Sequence, residues 1–131
     1  MSGVGAHQIL DKAFEANEAI PQYRFVKLVT ANERDVDICD SAGEAMIGVC
    51  QVEVSAGDAT NGRFVDIRLM GVSVVEAGAA ITKGAIVATD AAGKAKTGIS
   101  TEIALGVALD DAGADTDLIA VLLVQAGHII A

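Results

Sequence analysis

The feature that most constrains the fold of this chain is a period-two alternation of side-chain character over residues 63–75, RFVDIRLMGVSVV. One face carries aliphatic side chains and the other carries an aromatic and charged ones: Val65, Ile67 and Leu69 against Phe64, Asp66 and Arg68. Successive side chains of a β-strand point to opposite faces, so this pattern predicts a strand. Gly71 interrupts the alternation, which predicts a bulge or a bend.

Further strand signals follow along the chain. Residues 23–30 are rich in β-formers, residues 34–39 alternate charged and apolar side chains, and residues 118–124 are apolar throughout, which predicts a central strand buried on both faces. Turn signals rich in Gly and Ala separate these runs, at residues 41–43, 61–62, 91–93 and 113–115. The predicted fold class is mainly β, as a small β-barrel or β-tulip-like domain.

The N-terminal stretch has a different pattern. Ile9, Leu10 and Phe14 have the spacing of one or two amphipathic helical turns. A helix this short is marginal in water unless it docks on a surface. We therefore expect residues 1–18 to form an N-terminal arm or short helix beside a single β-rich domain, residues 19–131.

Four short blocks recur in the same order in the two parts of this domain. AIPQYRFV (19–26) matches AITKGAIV (80–87), DSAGEA (40–45) matches DAAGKA (90–95), IGVC (47–50) matches LGVA (105–108), and VDIRL (65–69) matches IAVLL (119–123). Their order predicts an internal repeat, residues 19–74 and 75–131, forming two similar strand-rich lobes about a pseudo-two-fold axis. Chance similarity within a sequence rich in Ala, Gly and Val is the alternative.

The charge balance argues against nucleic-acid and membrane partners. Nine Lys and Arg against 18 Asp and Glu give a net charge of −9, and residues 101–131 contain no Lys or Arg. Because phosphate groups are bound mainly by clustered basic side chains, we expect neither nucleic acid nor an anionic membrane as a partner. The N-terminus lacks a signal-peptide pattern, and no apolar run is long enough to span a bilayer, so we expect synthesis in the cytoplasm.

No residue pattern indicates a catalytic or cofactor site. Catalysis needs a nucleophile or base that a second group orients, and His7 and His128 lie near the termini without such a partner in the sequence. The best metal candidates are Asp111, Asp115 and Asp117. Their spacing differs from that of a calcium-binding EF-hand loop, and a solvated turn explains them more simply. We expect no cofactor.

The two cysteines, Cys39 and Cys50, match no zinc-binding spacing and no redox motif. Two free, buried thiols in a reducing compartment explain them. A disulfide between neighbouring strands is the alternative.

From about residue 19 onward the chain resembles the capsid decoration, or cement, proteins of tailed bacteriophages. Three stretches carry the resemblance: IPQYRFVKL (20–28), VEAGAAITKGAIVATDAAGKAKT (75–97) and GVALDDAGADTDLIAVLL (106–123). The resemblance implies a small β-rich homotrimer without an active site, bound outside the phage head at three-fold and quasi-three-fold positions. It also implies that the protein is made in the bacterial cytoplasm, becomes part of the virion, and clamps neighbouring subunits of the major capsid protein.

For the contact with the shell, we expect apolar anchors on the N-terminal arm, at Ile9, Leu10 and Phe14. The alternative is that these three side chains cap their own β-domain.

Two other functions compete with this interpretation. The stretch VEAGAAITKGAIV is also similar to turns of β-clip or SAF domains, some of which bind sugars, although sugar platforms usually need exposed aromatic side chains and aromatics make up only 3% of this chain. A small trimeric β-enzyme, such as a nucleotide hydrolase, would need a carboxylate-rich metal site.

Overall fold

The computed structural model describes residues 5–124 and 128–131, which are mainly β-strand. Strands account for 45% of the structure and helix for 4%, and the antiparallel sheet curls into a half-barrel. The predicted mainly-β fold class is therefore confirmed.

Nine strands form one sheet, and a single short helix occurs among the described residues. The elements are β1 (His7–Glu15), β2 (Phe25–Leu28), β3 (Val36–Ile38), β4 (Gly48–Cys50), α1 (Ala56–Thr60), β5 (Phe64–Glu76), β6 (Ile86–Thr89), β7 (Ala95–Thr97), β8 (Gly106–Ala108) and β9 (Leu118–Leu123). The strand order is β3-β2-β4-β5-β9-β8-β6-β7, and β1 pairs with β5 outside this path. No helix of the described ranges is long and apolar enough to cross a bilayer.

The alternation in β5 has the predicted effect on burial. Val65 and Ile67 are buried, while Phe64 and Asp66 are exposed. The alternation of burial continues through Gly71. The pairing of β1 with β5 is irregular next to it, with register shifts on either side of Leu10 that leave Ile9 of β1 and Leu69 of β5 without a paired residue. Gly71 has φ +106, and a Cβ atom there would clash with the His7 carbonyl oxygen, so the close approach of β1 needs a glycine.

The predicted N-terminal helical turns are wrong. Residues 7–15 form strand β1, which is antiparallel to β5 with Phe14 opposite Val65 and Glu15 opposite Phe64. An isolated two-turn helix has little stability of its own, whereas pairing with β5 satisfies backbone groups on both strands. The long edge of β5, which lies far away in the sequence, therefore decides the conformation of this segment.

The prediction for residues 118–124 is only partly correct. Strand β9 lies centrally, between β5 and β8, and Ile119 and Val121 are buried. Leu118 and Leu122 are exposed, so burial on both faces was wrong. The apolar composition of a strand gives no information on whether another layer covers its second face.

The two halves of the sheet share one strand order. The order β3-β2-β4-β5 in the first half recurs as β7-β6-β8-β9 in the second. The bridge between Ile20 and Val54, which lies outside the strands, recurs between Ile81 and Ala112. The counterpart of β1 in the second half is the last part of β5, residues 72–76. This part pairs with β9 in the same way as β1 pairs with the first part of β5.

Three of the four repeated sequence blocks fall at matching positions in the two halves, at the approach to β2 and β6, at β4 and β8, and at β5 and β9. The match between residues 40–45 and 90–95 is wrong. Residues 40–45 connect β3 to β4, whereas residues 90–95 connect β6 to β7. Asp, Ala and Gly recur at turns for local reasons, so similar turns need not be equivalent. The proposed division into an arm and two repeats stays a prediction, and the pairing of β1 favours placing β1 in the first repeat.

The contact between the two halves is one-sided. A core in the first half is formed by residues of that half, but the core of the second half also takes in Phe25, Cys39, Met46 and Val49 from the first. Phe25 is 0% exposed, while its counterpart in the second half, Ile86, is 42% exposed. A two-fold axis would make these environments equal, so the expected pseudo-two-fold arrangement is wrong and the halves pack head to tail.

Candidate functional site

Strand β1 presents an open edge of the sheet. Among the described strands it pairs only with β5, which leaves the backbone groups on its other side available over most of its length. Ile9 is 65% exposed, and Leu10 beside it is also exposed. An edge strand with exposed apolar side chains is a ready site for contact with another chain.

The third predicted anchor has a different environment. Phe14 is partly buried and packs against the core of the first half. The Lys12 ammonium lies 4.4 Å from the centre of the Phe14 ring, a cation–π contact. Ile9 and Leu10 are thus both exposed on β1, while Phe14 fastens β1 to its own domain.

A second contact holds β1 in place. Arg68 of β5 donates from Nε to Asp11 at 2.9 Å and from Nη1 to the Val72 carbonyl at 3.1 Å. The two charged side chains are largely buried, so solvent screens this ion pair less than a surface pair. These contacts hold β1 on its own domain, and a strand that is held in place loses less conformational entropy on binding than a free segment.

The three candidate metal ligands each have a separate role in the structure. Asp111 accepts from the Lys83 amide at 2.7 Å, and Asp115 accepts from the Lys94 ammonium at 2.8 Å. Asp117 accepts from the amides of residues 113 and 114, which closes its own turn. Within residues 5–124 and 128–131, no group of three or more His, Cys, Asp or Glu side chains is arranged to hold a metal ion. The calcium hypothesis therefore gains no geometric support.

Most of the cations form ion pairs within the protein. Seven of the nine Lys and Arg side chains lie within 4 Å of a carboxylate oxygen: Arg24, Lys27, Arg34, Arg63, Arg68, Lys94 and Lys96. Lys94 is an example, since its bond to Asp115 and its proximity to Glu76 raise its pKa. Few cations remain to bind phosphate, and the acidic excess dominates the surface.

The two cysteines are free thiols in different cores. Cys39 lies in the core of the second half, to which it contributes from the first half, and Cys50 lies in the core of the first half. Burial raises the pKa of Cys39 to about 12, with a further contribution from the charge of Glu44, and burial also raises the pKa of Cys50. Both thiols are therefore protonated at neutral pH, and a thiol in this state is a poor nucleophile.

A surface cavity of about 640 Å³ lies between α1 and the loops before β2 and β3. Its polar side chains hold these loops: the Asn17 amide donates to Asp37 at 2.8 Å, and Glu18 accepts from the Ile38 amide at 3.0 Å. Burial raises the pKa of Glu18. Asn17 and Glu18 therefore serve to hold the loops in place.

All four aromatic residues lie in the described ranges. Phe25 is fully buried, Phe14 and Tyr23 are partly buried, and Phe64 is exposed. One exposed ring does not form the aromatic platform that sugar-binding modules usually need.

Comparison with known proteins identifies the family. The phage cement protein family model matches residues 4–123, which is most of the chain. The chain belongs to the phage cement protein family. This confirms the resemblance stated above and makes the cement protein a structural component of the phage head, and so of the virion.

A solved structure supports the same fold. The head fiber gp8.5 N base of bacteriophage phi29 superposes on this cement protein with a TM-score of 0.71 and 16% sequence identity, covering 91% of this chain and 97% of the other. At this identity the likeness concerns the fold alone. A search among curated proteins found no match.

Sequence reasoning missed one surface of the cement protein. Ile86, Val107, Leu122 and Val72 lie side by side on neighbouring strands and are exposed or partly exposed. The sequence contained a signal for this surface, because the internal repeat aligns Leu122 with the charged Arg68. Equivalent positions with opposite polarity indicate different surroundings.

Proposed function

We propose that this cement protein binds the outer surface of the phage head and stabilises it by bridging neighbouring major capsid protein subunits, as a homotrimer at three-fold and quasi-three-fold positions. The observation that carries the proposal is the open edge of β1, with Ile9 and Leu10 exposed on a strand that its own domain already holds in place. Membership of the cement protein family supports the same function.

The physical basis of the stabilisation is linkage. A protein that binds the assembled shell, and not its separated subunits, stabilises the assembly by RT ln(1 + [L]/Kd), which is about 2.7 kcal/mol per site at a hundredfold excess over Kd. A trimer presents three β1 edges, so contacts that are weak singly add through effective concentration. The net charge of −9 disfavours association with packaged DNA, which supports an outer position.

Substitution of exposed side chains on β1 tests the proposal. Ile9→Asp places a charge in the proposed contact, and we expect it to weaken binding to heads that lack the cement protein by about tenfold or more, since a buried unpaired charge costs several kcal/mol. Ile99→Asp is the matched control, because Ile99 is 61% exposed against 65% for Ile9 and lies outside β1. Co-sedimentation with purified heads measures both.

Equal binding by the two variants would remove β1 as the contact, and failure of the unchanged protein to sediment with heads would refute the function. Deleting residues 1–17 is a poorer test. The deletion strips β1 from β5 and removes Phe14 and Ala16 from the first core, so lost binding would also follow from lost folding.

A further inference from the structure

Two equivalent rows of side chains cross the sheet, one in each half. The first row consists of paired residues on β2, β4, β5 and β1: Phe25, Val49, Arg68 and Asp11. The second row consists of their counterparts on β6, β8, β9 and β5: Ile86, Val107, Leu122 and Val72. Residues directly opposite each other in a sheet share a face, so each row is a continuous strip of surface.

The second half of the same chain covers the apolar part of the first row. Phe25 and Val49 are fully buried and belong to the core of the second half. Backbone hydrogen bonds fix this contact: the Phe25 amide donates to the Gly93 carbonyl at 2.8 Å, and the Gly43 amide donates to the Thr89 carbonyl at 2.9 Å. The rest of the first row, Arg68 and Asp11, is an ion pair.

No described residue covers the second row in this way. Ile86 and Leu122 are exposed, and Val107 and Val72 are partly exposed. The row borders a groove of about 200 Å³ lined by apolar side chains, including Val124, and by His128. Where the covered row has the pair Arg68 and Asp11, the uncovered row has Leu122 and Val72, so the more apolar of the two rows faces solvent.

We propose that a second copy of this chain covers the second row, by the same head-to-tail contact that covers the first row within one chain. The counterpart of Thr89 in the first half is Leu28, since both residues sit at the same register position of their hairpins. Leu28 is exposed and borders a mainly apolar groove of about 290 Å³ with Met46 and Ile47. The first half of a neighbouring copy thus offers an apolar surface at the position that the repeat requires.

A one-sided contact between copies uses different surfaces on the two partners, and such contacts close into rings when the rotation allows it. The inference deepens the homotrimer of the proposed function by assigning its interface. It does not depend on head binding, because association is measured on the purified protein alone.

Analytical ultracentrifugation of the full chain tests the interface. Leu122→Arg should still fold, because the equivalent position of the first half is already an arginine, Arg68. We expect this variant to lower the association constant by about 100-fold or more, since it would bury an unpaired charge in the contact. Phe64→Arg is the control, because Phe64 is exposed on β5 outside both rows. We expect it to associate like the unchanged protein. A monomeric unchanged protein, or an unaltered association of Leu122→Arg, would overturn the inference.

Cross-linking gives a second test that needs no disruptive change. Mixed chains carrying Ile86→Cys and Asn32→Cys are expected to form a heterodimer by disulfide oxidation, because Asn32 lies four residues after Leu28 just as Gly93, the partner of Phe25, lies four residues after Thr89. The native cysteines stay protected because both are buried. Each variant alone is expected to remain uncross-linked, since the contact joins different surfaces. Cross-linking of Ile86→Cys with itself would indicate a two-fold contact and refute the head-to-tail one.

Discussion

Truncation of two equivalent side chains tests the one-sided packing of the halves. Phe25 begins β2 and is 0% exposed, whereas Ile86 begins β6 and is 42% exposed. Phe25→Ala removes a fully buried ring and is expected to cost about 3–5 kcal/mol. Ile86→Ala removes a side chain that already keeps nearly half of its surface in water, so the expected cost is about 1–2 kcal/mol.

Urea unfolding followed by circular dichroism measures both losses. A domain of this size is expected to be stable by about 5–15 kcal/mol, so both variants should fold and give complete transitions. Unfolding is measured at the lowest practical protein concentration, because self-association would add stability that grows with concentration. Equal losses at the two positions, or a larger loss for Ile86→Ala, would refute the one-sided packing.

Two further predictions concern backbone fit and pH. Gly71→Ala should destabilise the protein by at least about 1 kcal/mol more than Gly84→Ala in thermal unfolding. Both glycines have positive φ, but only at Gly71 would the new Cβ meet the backbone of β1, whereas nothing lies within 4 Å at Gly84. Equal losses of stability would contradict the close approach of β1 to Gly71. The hydrogen bond from Lys96 holds the pKa of Glu102 below its ordinary value, so this carboxylate stabilises the fold above pH about 4.3 and loses that effect as the pH falls through its lowered pKa. In urea unfolding, the free energy of unfolding of Glu102→Gln should therefore differ most from that of the unchanged protein at neutral pH and least in acid. A difference that does not change with pH would argue against the ion pair.

Local patterns were sufficient for much of the strand framework. The alternation over residues 63–75 predicted β5 and its buried face, and the apolar run at residues 118–124 predicted a central strand. The helical spacing of Ile9, Leu10 and Phe14 was misleading, because the strand that pairs with β1 begins at Phe64, far away in the sequence. Two of the three proposed anchors are exposed as a contact would need, but the pattern carried no information that Phe14 packs on its own core.

The sequence by itself determined the mainly-β class, the acidic surface charge and the family, because alternation, turn residues, net charge and family motifs are properties of short stretches. Only the tertiary structure decided which apolar residues are covered. Phe25 and Ile86 occupy equivalent places in equivalent strands, yet one lies in a core and the other in solvent. Burial depends on whether another layer packs on that face, and a single strand does not encode the position of its neighbours.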